Sequence, residues 1–102
     1  MSAPDRQTLS LPSLRNLQAF IAVANALSIH QAAEQLNVTP SAVSHQIASL
    51  ESWMGKKLFI RSGKGVQLTP TGEKDLREVS AAMSAIGRAT DQIVKEKDNA
   101  VL

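Results

Sequence analysis

Four consecutive residues, Asn37-Val38-Thr39-Pro40, carry a helix stop and a helix start back to back. Asn tolerates the left-handed conformation that closes a helix. Thr39 offers an N-cap hydroxyl, and Pro40 suits the first helical position, where a missing N–H costs nothing. Val38 is the lone apolar residue of the turn and is expected to plug the angle between the two helices. Upstream, Ser28 and Gln31 have capping-box spacing, so a short helix is expected from about Ile29 to Leu36. Its Ala32, Ala33 and Leu36 form a face small enough for close approach to a neighbour. Downstream, a helix runs from Pro40 to about Met54, with Gly55 as its stop. Two helices joined by so short a turn make a helix-turn-helix unit.

The rest of the chain supplies what such a unit needs to bury. Ser13 can cap a preceding helix that reaches about Leu27, with Leu14, Leu17, Ile21, Ala24 and Leu27 at three- and four-residue steps and Phe20 flanking. After Gly55, Leu58–Arg61 and Val66–Thr69 are short, partly alternating runs. The Ser62-Gly63-Lys64-Gly65 segment between them reads as the turn of a β-hairpin. Thr69-Pro70 repeats the cap-then-proline signal, and Glu73 and Asp75 suit the positive end of a helix. That helix is expected to run from about Pro70 to Lys97. Leu76, Val79, Met83, Ile86, Thr90 and Ile93 recur along it with a period near 3.5. So narrow a stripe on a helix ~40 Å long fits pairing with a second copy, or packing on its own domain. The expected fold is mainly α: a winged helix-turn-helix of three helices and a two-stranded β wing over residues 11–69, then a long dimerisation helix over 70–102. Residues 1–10 are expected to be a disordered arm.

Composition excludes several classes of function. The chain has 102 residues and is 43% hydrophobic, enough for one modest core, but it holds only three aromatic residues, so aliphatic side chains must fill that core. It has no cysteine, which removes disulfides and thiolate metal sites. His30 and His45 fall on different helices without an acidic cluster, so no metal site is expected. No nucleophile–base pair stands out, and Gly63-x-Gly65 precedes a strand rather than a helix. Neither an enzyme nor a cofactor is expected. With no signal-peptide run and no long apolar stretch, a soluble cytoplasmic protein without membrane contact is expected.

Charge is unevenly divided. Residues 1–72 hold six basic and three acidic side chains, whereas residues 73–102 hold five and six. From Ser52 to Gly72 stand Lys56, Lys57, Arg61 and Lys64 with no acid. Such a patch is either a polyanion-facing surface or an ordinary solvated loop. The helix starting at Pro40 narrows the choice. At ~100° per residue, Val43, Ile47, Leu50 and Met54 form its core face, and Ser41, Ser44, His45, Ala48 and Ser52 the opposite one. A solvated helix face normally carries long charged side chains, and serine is a mediocre helix former. An uncharged, Ser-rich face makes sense when it lies against something, either the major groove of DNA or a protein. In a groove, small side chains admit the backbone and hydroxyls meet base edges. His45 and Gln46 add reach, and the helix N-terminus can receive a phosphate. Arg61 and Lys64, in the first strand and at the hairpin tip, are the stronger phosphate or minor-groove candidates; Lys56 and Lys57 also suit a helix C-terminus.

From Leu14 to about Glu73 the chain resembles the N-terminal domain of LysR-type transcriptional regulators. The resemblance is carried by AAEQLNVTPSAVSHQI, then LE-x-x-MG-x-x-LF-x-R, then G-x-x-LTPTGE, in that order and at family spacing. The leading LPSLRNLQAF and the SAVSHQI run are similar to the glycine-cleavage and β-lactamase regulator branch. The resemblance implies a winged helix-turn-helix dimerised by its last helix, with the Pro40 helix in the major groove and the hairpin as the wing. It implies base contacts from Pro40, Ser41, Ser44 and His45, within a specificity segment running to Ser49. It makes Ser28, Gln31 and Thr39 phosphate or positioning residues and Arg61 the wing contact. Many members carry Gln at Pro40, Arg at His45 and Arg at Gln31, so base preference does not transfer and phosphate affinity near Gln31 is expected to be weaker. The family normally continues into a ligand-sensing domain, which is not expected within these 102 residues, whether they are an isolated domain or a naturally short relative. The expected function is sequence-specific binding of double-stranded DNA as a homodimer; the alternative is a winged-helix interaction module that does not bind DNA.

Overall fold

The computed structural model describes residues 11–63 and 65–100, the side chains of 97–100 excepted. The arm expected over residues 1–10 and the candidate Lys64 lie outside the described residues. The elements are α1 (Leu14–Ala26), α2 (Ile29–Leu36), α3 (Pro40–Met54), β1 (Phe59–Ser62), β2 (Gly65–Leu68) and α4 (Pro70–Ala100). This is the mainly helical winged helix-turn-helix with a long final helix that the sequence predicts.

Local capping explains where the helices begin. The hydroxyls of Ser13, Ser28 and Thr39 accept the backbone N–H of Asn16, Gln31 and Ala42 at 3.1, 3.2 and 3.1 Å. Asn37 and Gly55 close α2 and α3 in the left-handed conformation, as expected. α1 closes the same way one residue earlier than expected, on Leu27, with φ 53°. A left-handed leucine costs roughly 1–2 kcal/mol. Full burial of Phe20 and of Val23 contributes about 1.5–3 kcal/mol each, and the sharp corner at Leu27 brings α2 back against α1.

The buried face of α1 also differs from the expected stripe. Ala19, Phe20, Ala22, Val23 and Ala24 are buried, whereas Leu14 and Leu27 are 52% and 47% exposed. Phe20 is a centre of the core rather than a flank. The reason is tertiary: α2, α3 and α4 all pack on α1, so its alanine lines, which permit close approach, are covered. Val38 is 47% exposed and borders an open cleft with Leu36 and Ala42 rather than filling the angle between the helices; its N–H donates to the Ala33 carbonyl at 3.1 Å, closing the turn through the backbone. Val43, Ile47 and Leu50 of α3 are buried as expected.

The strands pair antiparallel, Phe59 with Leu68 through Ser62 with Gly65. Both are displaced by one residue from their expected spans, because Leu58 and Thr69 are engaged in joining the wing to the helices. Phe59 stacks edge to face on Phe20 with centroids 5.6 Å apart, which fixes the wing to the helical core. The first turn of α4 packs so closely on this join that a Cβ at Gly72 would collide with the Leu58 carbonyl oxygen and stand 2.9 Å from Leu68 Cδ2. α4 reaches Ala100, beyond the expected end at Lys97. Glu73 lies in its first turn. Asp75 is less well placed: burial pushes its carboxyl above the ordinary carboxylate range, and Glu78 adds to the shift.

Substituting Gly72→Ala is expected to destabilise the fold by about 1–3 kcal/mol, since backbone must move to admit the methyl group. Gly63→Ala, which opens onto empty space, is expected to stay within about 0.5 kcal/mol of the parent. Urea midpoints of the two variants check the contrast.

Candidate nucleic-acid interface

With its core face buried, α3 presents the uncharged face outward. Ser41, His45, Ala48 and Ser52 are exposed, and Ser44 and Ser49 are half-buried at its sides. Pro40 is half-buried at the first helical position, and Thr39 is exposed at the N-cap. This outward face has an open groove on either flank. Toward the wing, a groove of about 440 Å³ is lined by Ser44, Ala48, Glu51 and Lys57 together with Ile60 and Arg61 of β1. On the other side, a groove of about 350 Å³ lies between α1 and α3, lined by Arg15, Gln18, Ala42 and Gln46 among others. A third concavity joins Ser28 and His30 at the start of α2 to Arg61 and Ser62 of the wing.

The structure therefore sorts the candidates. Ser44 and Arg61 share one groove, and Ser28 shares another with Arg61. Gln31 is exposed on α2, where its backbone N–H is held by Ser28. Gln46 turns away from the wing toward α1. Lys57, discounted on sequence grounds, lines the Ser44–Arg61 groove and is 78% exposed at its side chain.

Three contacts set the wing against the helices. Glu51, whose side chain is only 12% exposed, accepts the N–H of Leu58 at 2.8 Å and of Phe59 at 3.2 Å through Oε2. Its Oε1 stands 3.7 Å from Lys57 Nζ, the one ion pair among the described residues. Thr69 donates its hydroxyl to the Lys57 carbonyl at 2.7 Å, and the same oxygen accepts the Gly72 N–H at 2.9 Å as the α4 cap. Finally Gly65, at φ 136°, brings β2 so near the α1–α2 corner that a Cβ there would lie 2.8 Å from the Leu27 carbonyl oxygen. Glu51 is the residue that sequence reasoning missed. As the single acid of α3 it was visible, but its partners are backbone groups seven and eight residues on, which no residue type announces.

The family described as "Bacterial regulatory helix-turn-helix protein, lysR family" matches residues 14–73, more than half of the chain. The chain belongs to the LysR family. That family is one of transcriptional regulators, not enzymes. Among its members, the glycine cleavage system transcriptional activator of Escherichia coli (strain K12) is 42% identical over 83 residues, 81% of this chain and 27% of its own length. The LysR-type fold is matched in turn by a crystal structure of the CbnR DNA-binding domain in complex with DNA, with a TM-score of 0.76 at 32% identity over 83% of this chain and 98% of that one. The BenM DNA-binding domain with catB site 1 DNA gives a TM-score of 0.73 at 30% identity, covering 85% and 93%. The chain thus spans about a quarter of the length of the regulator it resembles in sequence, and nearly all of the isolated domains it resembles in structure. No helix among the described residues is long and apolar enough to cross a membrane.

Removing the Glu51 carboxylate leaves two half-buried N–H groups without their acceptor. Glu51→Ala is expected to cost about 1–3 kcal/mol and to accelerate amide hydrogen exchange at Leu58 and Phe59 before the rest of the fold. Glu51→Gln, which keeps one acceptor oxygen, is expected to lose less.

Proposed function

We propose that this chain binds double-stranded DNA sequence-specifically as a homodimer, with α3 in the major groove and the wing against the neighbouring backbone or minor groove. One observation carries the reading: the uncharged, Ser-rich face of α3 is bordered by a groove that Ser44 shares with the cations Lys57 and Arg61. A face free of long side chains admits a base edge, and cations at its border meet phosphate. The similar domains from CbnR and BenM were solved with DNA, which supports the same partner here. In this reading residues 11–69 contact DNA and the helix from residue 70 onward pairs the protomers. Base contacts fall to Pro40, Ser41, Ser44 and His45, with Ser49 completing the segment and Gln46 on its flank toward α1. Ser28, Gln31, Thr39, Arg61 and Lys64 serve the backbone. DNA of a bacterial chromosome places this work in the cytoplasm.

Pairing rests on α4. Leu76 and Val79 are half-buried and pack on the chain's own core, so the root of the helix is held at a set angle. Beyond Met83 no described residue covers the stripe: Ile86 and Ile93 are 53% and 66% exposed, with Val94 beside them at 52%. Thr90 satisfies its hydroxyl by donating to the Ile86 carbonyl at 3.0 Å, so its methyl group can join an apolar seam. A second copy of the same stripe is the surface that best complements it.

Binding to random duplex DNA is expected to weaken on the order of a hundredfold between about 50 and about 200 mM salt, the signature of several phosphate contacts. Absence of binding at the lowest salt contradicts the reading. Ser44→Glu and Arg61→Ala are each expected to fold normally and bind DNA at least about tenfold more weakly. The combined variant Met83→Glu/Ile86→Glu is expected to sediment as a monomer; an unchanged dimer contradicts the α4 seam.

A further inference from the structure

A helix seated in the major groove has a phosphate backbone on both sides, because the groove is only about 12 Å wide. The wing supplies cations to one side. The other side is the cleft between α1 and α3, bordered by Arg15, Gln18, Ala42 and Gln46. Resting on the DNA reading above, we propose that this cleft is a second backbone-binding site, in which Arg15 holds a phosphate of the strand opposite the wing and Gln18 and Gln46 complete the contact.

Three observations converge on Arg15. It is the only charged residue of α1, and it borders the same cleft as Gln46 on the flank of the uncharged α3 face. It is exposed and has no acidic partner among the described residues, so its charge is not spent inside the fold. It also stands in the wrong place for helix stability. Ser13 caps α1, which puts Arg15 in the first turn, at the positive end of the helix dipole, where a cation is unfavourable and an acid would be preferred. A charge that weakens its own helix and bonds to none of the described residues fits an external anion. The uncharged Gln18 and Gln46 add amide donors that a phosphate oxygen accepts without fixing a base.

The inference separates affinity from stability, which a structural role for Arg15 would not do. Arg15→Glu and Arg15→Gln are expected to unfold at a urea midpoint no lower than the parent's. Both are expected to bind DNA about tenfold or more weakly, to a similar degree on a selected and on a random duplex, with a log–log salt slope shallower by about one per protomer for Arg15→Gln. Arg15→Lys, which keeps the charge, is expected to restore most of the slope. Should the parent bind steeply with salt while Arg15→Glu binds with the same affinity and slope, the second site is overturned and the DNA reading stands. Should Arg15→Lys behave like Arg15→Gln, the side chain acts by shape and the phosphate contact is likewise overturned. A parent that binds no duplex at low salt removes the DNA reading and this site with it.

Discussion

Glu51 ends the outward face of α3 and begins the wing. Its nearly buried carboxylate accepts two consecutive backbone N–H groups, those of Leu58 and Phe59, and holds Lys57 beside them. Those N–H groups stand where the chain turns from helix to strand, and the Glu51 carboxylate is the acceptor that meets both. Once they are fixed, Phe59 is positioned to meet Phe20 in the core, β1 follows in register with β2, and Arg61 comes to rest on the groove it shares with Ser44. One side chain on α3 thus helps to set the direction of the wing, alongside Thr69, Gly65 and the contact of Phe59 with Phe20. A two-stranded hairpin has little stability of its own, which makes such an anchor necessary.

The recognition surface divides its labour by position. The centre of α3 carries small hydroxyl residues, proline and histidine, which permit approach but offer no bidentate reader of the Arg–guanine or Gln–adenine kind. Charge is kept to the borders, on Lys57 and Arg61 toward the wing and on Arg15 toward α1. In the proposed complex such a layout draws affinity from phosphates and orientation from both flanks, and leaves sequence to be read by hydroxyl contacts and by the shape of the groove. α4 extends the same economy: its root serves the core through Leu76 and Val79, and its outer turns remain for a second copy.

Much of the fold was legible because its boundaries are set by interactions that span three residues. Ser13, Ser28, Thr39 and Thr69 each cap the helix that follows, and residue type with spacing is enough to see this. The departures in the helical core have one cause. Whether Leu14 or Phe20 of α1 is buried, and whether Val38 fills a gap, depends on how many neighbours arrive from elsewhere in the chain, and α1 receives three helices. The site divides in the same way. The outward face of α3 could be read from periodicity, whereas the Glu51 anchor, the place of Lys57 in the groove and the cleft at Arg15 exist only once separate elements are brought together.

Methylation interference on a duplex selected from a random pool tests the placement of α3 most directly, because methylated guanine N7 lies in the major groove and methylated adenine N3 in the minor groove. The account predicts that N7 methylation blocks binding within two half-sites, spaced by a whole number of helical turns as a dimer requires, with adenine N3 interference confined to the flanks that the wings reach. Binding that tolerates N7 methylation throughout and is blocked only from the minor groove would contradict it.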